Sequence, residues 1–485
     1  MTEIITRPSA SGSPTAATTT TATASAPGKP ELARSLGLIG AVLLTLSCLT
    51  PASSLFVIVP GLFATQGTGT ALTLGIAGVL CVGVAFCYSE LGTLIPSAGG
   101  EYAMVGSLMG RVSGWLTFFL SGVVAFIIPP IIAIGTGEYL HAAIPAMPAD
   151  GALTGAIVMG ASTVMGVFDL RANAWITGIF LVLEVVAAGV VAFLGFSHSH
   201  QSASVLVHPV VSDGQHTSAL PMATIMVGLA VALFALQGFT TAVYLAEEIQ
   251  EPRRNVSRAV LWTLGLGAAV VIVPTIAITL GADGPGALTE DNFDLIGMVK
   301  GWSDSAVGAF VALCIAAAIV NAAIVMVIQN SRILFASARD RAWPQPVNKA
   351  LGTVSRRFGA PWVATLAVGA PGTALCFAPV DTLNGITGVA VAGLYLIVAV
   401  AALAARRGGH KAKNAWRMPL WPVVPVLVVA SLLGVLFELW RTQPSDLYWT
   451  LGATAAAALY WVFYLRPRGG TRWVIDADPG QDGKP

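Results

Sequence analysis

About a dozen apolar runs of roughly 20 residues divide this 485-residue chain, and no other feature constrains its fold as much. Each run is long enough to cross the hydrocarbon core of a bilayer, about 30 Å thick, as an α-helix. They fall at 36–64, 71–95, 113–140, 151–169, 173–196, 221–246, 258–281, 304–330, 361–379, 382–405, 420–440 and 447–465. Only 10% of the residues are charged, where soluble domains carry about 25%. Mean hydropathy, at +0.78, agrees. The expected fold is an all-α polytopic membrane protein with twelve transmembrane helices.

Several function classes drop out on composition and motif. A net charge of +1 with no basic stripe argues against nucleic acid as a partner. The lipid bilayer and a small-molecule substrate are the expected partners; nothing sets the oligomeric state. The five cysteines (Cys48, Cys81, Cys87, Cys314, Cys376) lie inside apolar runs without metal-ligand spacing and read as buried thiols. His198, His200, His208 and His216 share one polar loop with nothing to fix a ligand geometry. No phosphate-binding loop, His-Glu-x-x-His or Gly-x-Ser-x-Gly motif is present, so no enzyme, cofactor or metal is expected. Repeated filter loops and charged rings, which a channel needs, are missing too.

Orientation follows from counting cations. With twelve spans and a cytoplasmic N-terminus, 23 of the 25 Lys and Arg residues fall on the cytoplasmic side, leaving only Lys300 and Arg441 outside. A miscounted span would swap every later loop, so the positive-inside rule supports count and direction together. The location expected is the cytoplasmic membrane, with both termini inside. Residues 1–35, rich in Ser, Thr, Ala and Pro, read as a disordered cytoplasmic tail without a secretory signal.

Two spans are interrupted. The first carries Pro51 within Ser47-Cys-Leu-Thr-Pro-Ala-Ser-Ser54, and the sixth carries Gln237-Gly238. These are corresponding members of two five-helix halves, about 36–196 and 221–405. Interrupted helices at matching positions point to a transporter built from inverted repeats. Simple kinks packed against neighbours are the plainer alternative, and Pro129-Pro130 in the third span is one without such a pairing. Residues 36–405 thus form a transport core, 406–466 two further helices and 467–485 a cytoplasmic tail.

Three stretches carry a family resemblance. Tyr88-Ser-Glu90-Leu91 with Pro96, Gly99-Gly100-Glu-Tyr102 and Gly114-Trp115 is the first. Gly238-Phe239 with Ala246-Glu247-Glu248 and Pro252-Arg-Arg-Asn255 is the second. Ser331-Arg332, Ala338-Arg339-Asp340 and Pro344 make the third. In this order they resemble the amino acid–polyamine–organocation superfamily of permeases, over about residues 36–405. The resemblance implies alternating-access transport of an amino acid or related amine. Where the family typically has Gly-Ser-Gly in its first helix, this chain has Ala52-Ser53-Ser54, without the glycines that reach positive φ easily. Glu90, Glu247 and Glu248 stand near Arg111, Arg253 and Arg254 at cytoplasmic helix ends and are expected to form ion pairs there.

A broken helix frees N–H groups and carbonyls that a zwitterion can satisfy from both ends. The candidate substrate residues are therefore Ser47, Thr50, Ala52, Ser53, Ser54, Phe234, Ala235, Gln237, Gly238 and Thr240. With no carboxylate near either break, a small neutral amino acid fits better than a polyamine. The expected function is a proton-coupled symporter; an amino acid/amine exchanger or a polyamine importer is the alternative. Glu184, midway along the fifth span, is the proton-coupling candidate, since a mid-membrane carboxylate needs a partner, water or a proton. A hydrogen bond to a neighbouring helix is its competing role. Asn321 is the lone polar group midway along the eighth span, where the absence of Ser and Thr argues against a sodium cage.

Overall fold

A computed structural model describes residues 36–97, 99–168, 173–212, 216–289, 293–355, 359–408 and 415–474. The segments 1–35 and 475–485, and the loop cations Arg171, Arg356, Arg357, Lys411 and Lys413, lie outside the described residues. The fold is almost wholly helical. Among the described residues, eight helices are long and apolar enough to cross a membrane: α1 (Leu38–Gln66), α2 (Gly69–Leu94), α3 (Arg111–Ala143), α5 (Asn173–Ser197), α7 (Pro252–Gly281), α8 (Ser305–Arg339), α10 (Val380–Arg407) and α11 (Val423–Thr442). Three shorter apolar helices accompany them: α4 (Gly151–Val167), α6 (Met222–Ala235) and α9 (Trp362–Leu375). A last helix, α12, covers Pro444–Tyr460.

Burial sorts these helices into layers. Of the eight long helices, α1 and α8 are the most enclosed, and α11 is the least. Large apolar side chains such as Val79, Ile157, Val182, Phe193, Leu427 and Phe463 face outward. In water such a surface would be unfavourable; against lipid tails it costs nothing, and the helices satisfy their own backbones there. Among the described residues the one sheet is a small two-stranded pairing, with Val210–Ser212 antiparallel to Thr217–Ala219.

Both interrupted runs are interrupted in the fold. Leu38–Leu49 ends, and Pro51 opens the next helical stretch. Thr50 between them is left-handed, φ 48°, an unusual conformation for a β-branched residue. Pro51 keeps Thr50 out of the right-handed helix, because its ring crowds the preceding residue. Proline also has no N–H, so the carbonyl of Ser47 loses its helical partner. The positive φ falls on Thr50, while Ser53 and Ser54 stay right-handed. Missing glycines at 52–54 are no obstacle. Ser54–Ile58 then winds as a π-helix.

In the sixth run, α6 stops at Ala235, and Gly238 takes φ 126°. A single 3₁₀ stretch, Phe239–Val243, follows in place of a second α-helix. The sequence reading carried this run as a span to residue 246; the structure ends its α-helical part eleven residues earlier. Gly-Phe-Thr-Thr has little helix-forming strength, which accounts for the difference.

Candidate functional site

The two interruptions touch. A Cβ on Gly238 would lie 2.4 Å from the Cα of Leu49, so only glycine permits this approach. The segment Pro51–Ser53 is wedged among α5, α7 and α8. From α5, the carboxylate of Glu184 reaches it: the Ala52 N–H donates to Oε2 at 3.4 Å. Glu184 is 1% exposed, so this amide is one of few groups that answer its carboxylate. An anion beside a freed N–H at a helix start is electrostatically favoured. Thr50 Oγ1 and Ser53 Oγ are buried without any hydrogen-bond partner. Buried hydroxyls are rarely left unsatisfied in a finished core.

A cavity of about 60 Å³ runs from the Gly238 interruption toward the end of the molecule that carries the short helix Gly100–Met109. Gln237, Gly238 and Thr240 line it, as do Cys48, Thr241 and Tyr244. Of the sequence candidates, these three glutamine, glycine and threonine positions are the ones on its wall. Ser47, Thr50, Ala52, Ser53, Ser54, Phe234 and Ala235 are buried around the interruptions but outside this cavity. Asn321 is buried on α8, the helix behind Pro51–Ser53, and also lies off the cavity wall. Phe239 does not wall it either; its ring packs on Tyr88 and Tyr395, with centroids 6.3 and 6.0 Å apart.

Glu101 is the residue that sequence reasoning missed. It is 3% exposed and lines the cavity. Three hydroxyls donate to its carboxylate: Tyr88 to Oε1 at 2.8 Å, and Ser121 and Tyr244 to Oε2 at 2.7 and 3.1 Å. Its setting in Gly99-Gly100-Glu101-Tyr102 held a signal. Gly100 has φ 52° and takes the Tyr244 ring against its backbone, which brings helix and hydroxyl together.

The gate-level ion pairs differ from expectation. Arg406 of α10, and not Arg111, pairs with Glu90: Nε to Oε1 at 2.5 Å and Nη2 to Oε2 at 2.7 Å. The Met418 N–H completes the carboxylate's shell at 2.9 Å. Sequence proximity favoured Arg111, but its guanidinium instead donates to the carbonyls of Arg472 and Trp473.

Against this geometry, residues 36–464 match the profile of the family described as amino acid permease. The chain belongs to the amino acid permease family. Its relatives lie in the amino acid–polyamine–organocation superfamily. This permease is 26% identical over 452 residues to the methylthioribose transporter of Bacillus subtilis (strain 168), covering 89% of this chain and 94% of that protein. It is 22% identical over 459 residues to the branched-chain amino acid permease of the same organism, with the same coverages of 89% and 94%. The branched-chain amino acid permease of Lactococcus lactis subsp. cremoris (strain MG1363) is 24% identical over 435 residues, 83% of this chain and 89% of that one. The permease is thus a multi-pass membrane transporter and not an enzyme.

Proposed function

We propose that this permease carries a small neutral amino acid across the cytoplasmic membrane by alternating access, coupled to protons through Glu184. In this reading it has twelve spans, both termini cytoplasmic, and two inverted five-helix repeats whose broken members meet at the substrate. The observation that carries it is the Ala52 N–H···Glu184 contact, made at the interruption of α1 by a residue 132 positions away. Ala52 and Ser53 sit at the start of the resumed helix, where N–H groups lack helical partners. An ionised Glu184 occupies that donor and repels a substrate carboxylate. A protonated Glu184 releases it. Substrate and proton therefore favour each other's binding, which is the linkage a symporter needs.

Thr50 and Ser53, unpartnered and buried, are suited to hydrogen-bond the bound carboxylate. Gln237 and Thr240 supply polar contacts from the other break. Relatives include branched-chain amino acid permeases and a methylthioribose transporter, so a substrate screen for this chain spans both classes.

The test is uptake into proteoliposomes under an imposed pH gradient in sodium-free buffer. Wild type should accumulate substrate without sodium. Glu184→Gln, which mimics the protonated state, should lose gradient-driven accumulation while retaining binding and exchange. Survival of accumulation and of its pH dependence in the mutant would make Glu184 structural. Strict dependence on a sodium gradient would remove the proton from the mechanism.

A further inference from the structure

We propose that Glu101 is the cation-binding group of the transport path, taking the ammonium of a small primary amine or amino acid within the hydroxyl-lined cavity. The inference rests on reading that cavity as part of the substrate path. It goes further by placing the site's negative charge on neither broken helix.

Three buried carboxylates lie near the path, and each is answered differently. Glu90 is neutralised by Arg406, and Glu184 meets the Ala52 N–H. Glu101 has hydroxyls only: Tyr88, Ser121 and Tyr244 donate to it, with Thr240 beside it. Among the described residues no lysine, arginine or histidine forms an ion pair with it. Hydroxyls stand in for lost water, yet a buried carboxylate without a counter-charge remains costly. A cation entering the cavity would remove that cost.

The chemistry of the lining selects which cation. An ammonium brings three N–H donors and no acceptor. A carboxylate ringed by hydroxyls meets it with charge and with oxygen lone pairs, since each hydroxyl accepts as well as donates. A cavity of about 60 Å³ suits an ammonium head with a short tail. Its wall is continuous from Glu101 to Gln237 and Gly238, so an ammonium there belongs to a ligand that also reaches the interruptions. This placement revises the argument against amines, which assumed that any carboxylate would lie on α1 or α6.

Binding of three matched probes to purified protein tests the assignment: propylamine, 2-aminobutyrate and butyrate. Glu101→Gln keeps the side-chain size and removes the charge. It should weaken propylamine and 2-aminobutyrate about tenfold or more, as expected when a charge-assisted contact is lost. Butyrate affinity should not change. Ser121→Ala and Tyr244→Phe keep the charge and remove one hydroxyl each, so both should weaken propylamine less than Glu101→Gln does. Unchanged propylamine affinity in Glu101→Gln, or no propylamine binding to wild type, overturns the proposal. Should Glu101→Gln not fold, unaltered propylamine affinity in both hydroxyl variants overturns it equally. Uptake separates this from the broader reading. Protein that binds propylamine through Glu101 but transports no amino acid keeps the site and loses the amino acid.

Discussion

Gly238 combines two demands that no other residue meets. Its φ of 126° lies where side chains are strained, and its missing Cβ leaves room for the backbone of Leu49. The conformation alone costs a substituted residue about 1–3 kcal/mol. Backbone at 2.4 Å cannot swing aside as a side-chain tip does, so the breaks must separate. Gly238→Ala should therefore lower the melting temperature and abolish uptake together. Gly265 is the internal control: it sits within α7 with open space around its Cα. Gly265→Ala should be neutral or stabilise by about 0.5–1 kcal/mol through helix propensity. Equal melting behaviour of the two variants would show that the breaks are not in rigid contact. The sequence marked Gly238 and Glu184 by their oddity inside apolar runs. It left Glu101 unmarked because a glutamate at a helix start is ordinary. Its burial depends on Tyr88, Ser121 and Tyr244 arriving from three other segments, and no local pattern records that.

The runs of apolar residues correspond closely to helices, because length and hydropathy are what lipid demands. They misplace ends where a helix continues into polar sequence. The run read as 304–330 belongs to a helix that extends to Arg339, since hydrogen bonds continue after hydropathy stops. Nor does hydropathy see segments held by aromatic packing. Residues 467–474, read from sequence as the start of a tail, fold back against the helices. Trp473 is fully buried, with its ring centroid 5.3 Å from that of Tyr102, 5.2 Å from Trp115 and 5.5 Å from Phe118. Its Nε1–H donates to the Arg111 carbonyl at 3.2 Å, and the Val474 N–H to Asp340 at 3.1 Å. Tyr102, next to Glu101, bonds Asp340 from the same helix at 2.9 Å. This strap thus holds the Glu101 helix from behind. Trp473→Ala should cost about 3–5 kcal/mol of docking energy, the usual loss for a buried tryptophan. Limited trypsinolysis at Arg468 and Arg472 reads it: cleavage should accelerate strongly in the mutant while the helical core stays intact. Unaltered cleavage would mean the strap is held by its backbone bonds alone.

Across the whole molecule, the two ends differ in charge, and that asymmetry implies a direction. Among the described residues, Arg406 beside Glu90, and Arg111 and Arg472 at the strap, share the end that carries the Glu101 helix; Lys300, against the Ala142 carbonyl, lies at the opposite end of α3 from Arg111. If the crowded end is cytoplasmic, as the positive-inside rule requires, the Glu101 cavity lies on the cytoplasmic side of the breaks. The five native cysteines are free and buried, so an impermeant thiol reagent should find little to label in the unaltered chain. Single cysteines placed at Arg441 and Arg417, both exposed, then report each end. In intact cells Arg441→Cys should react from outside, and Arg417→Cys only after the membrane is permeabilised. The reverse pattern would invert the molecule, put Glu101 on the outer side of the breaks and make it an entry group. Labelling of both from outside would mean an even number of crossings between them. With α11 as the only long apolar helix in that interval, such a result would leave it lying along the membrane, and the span count would fall with it.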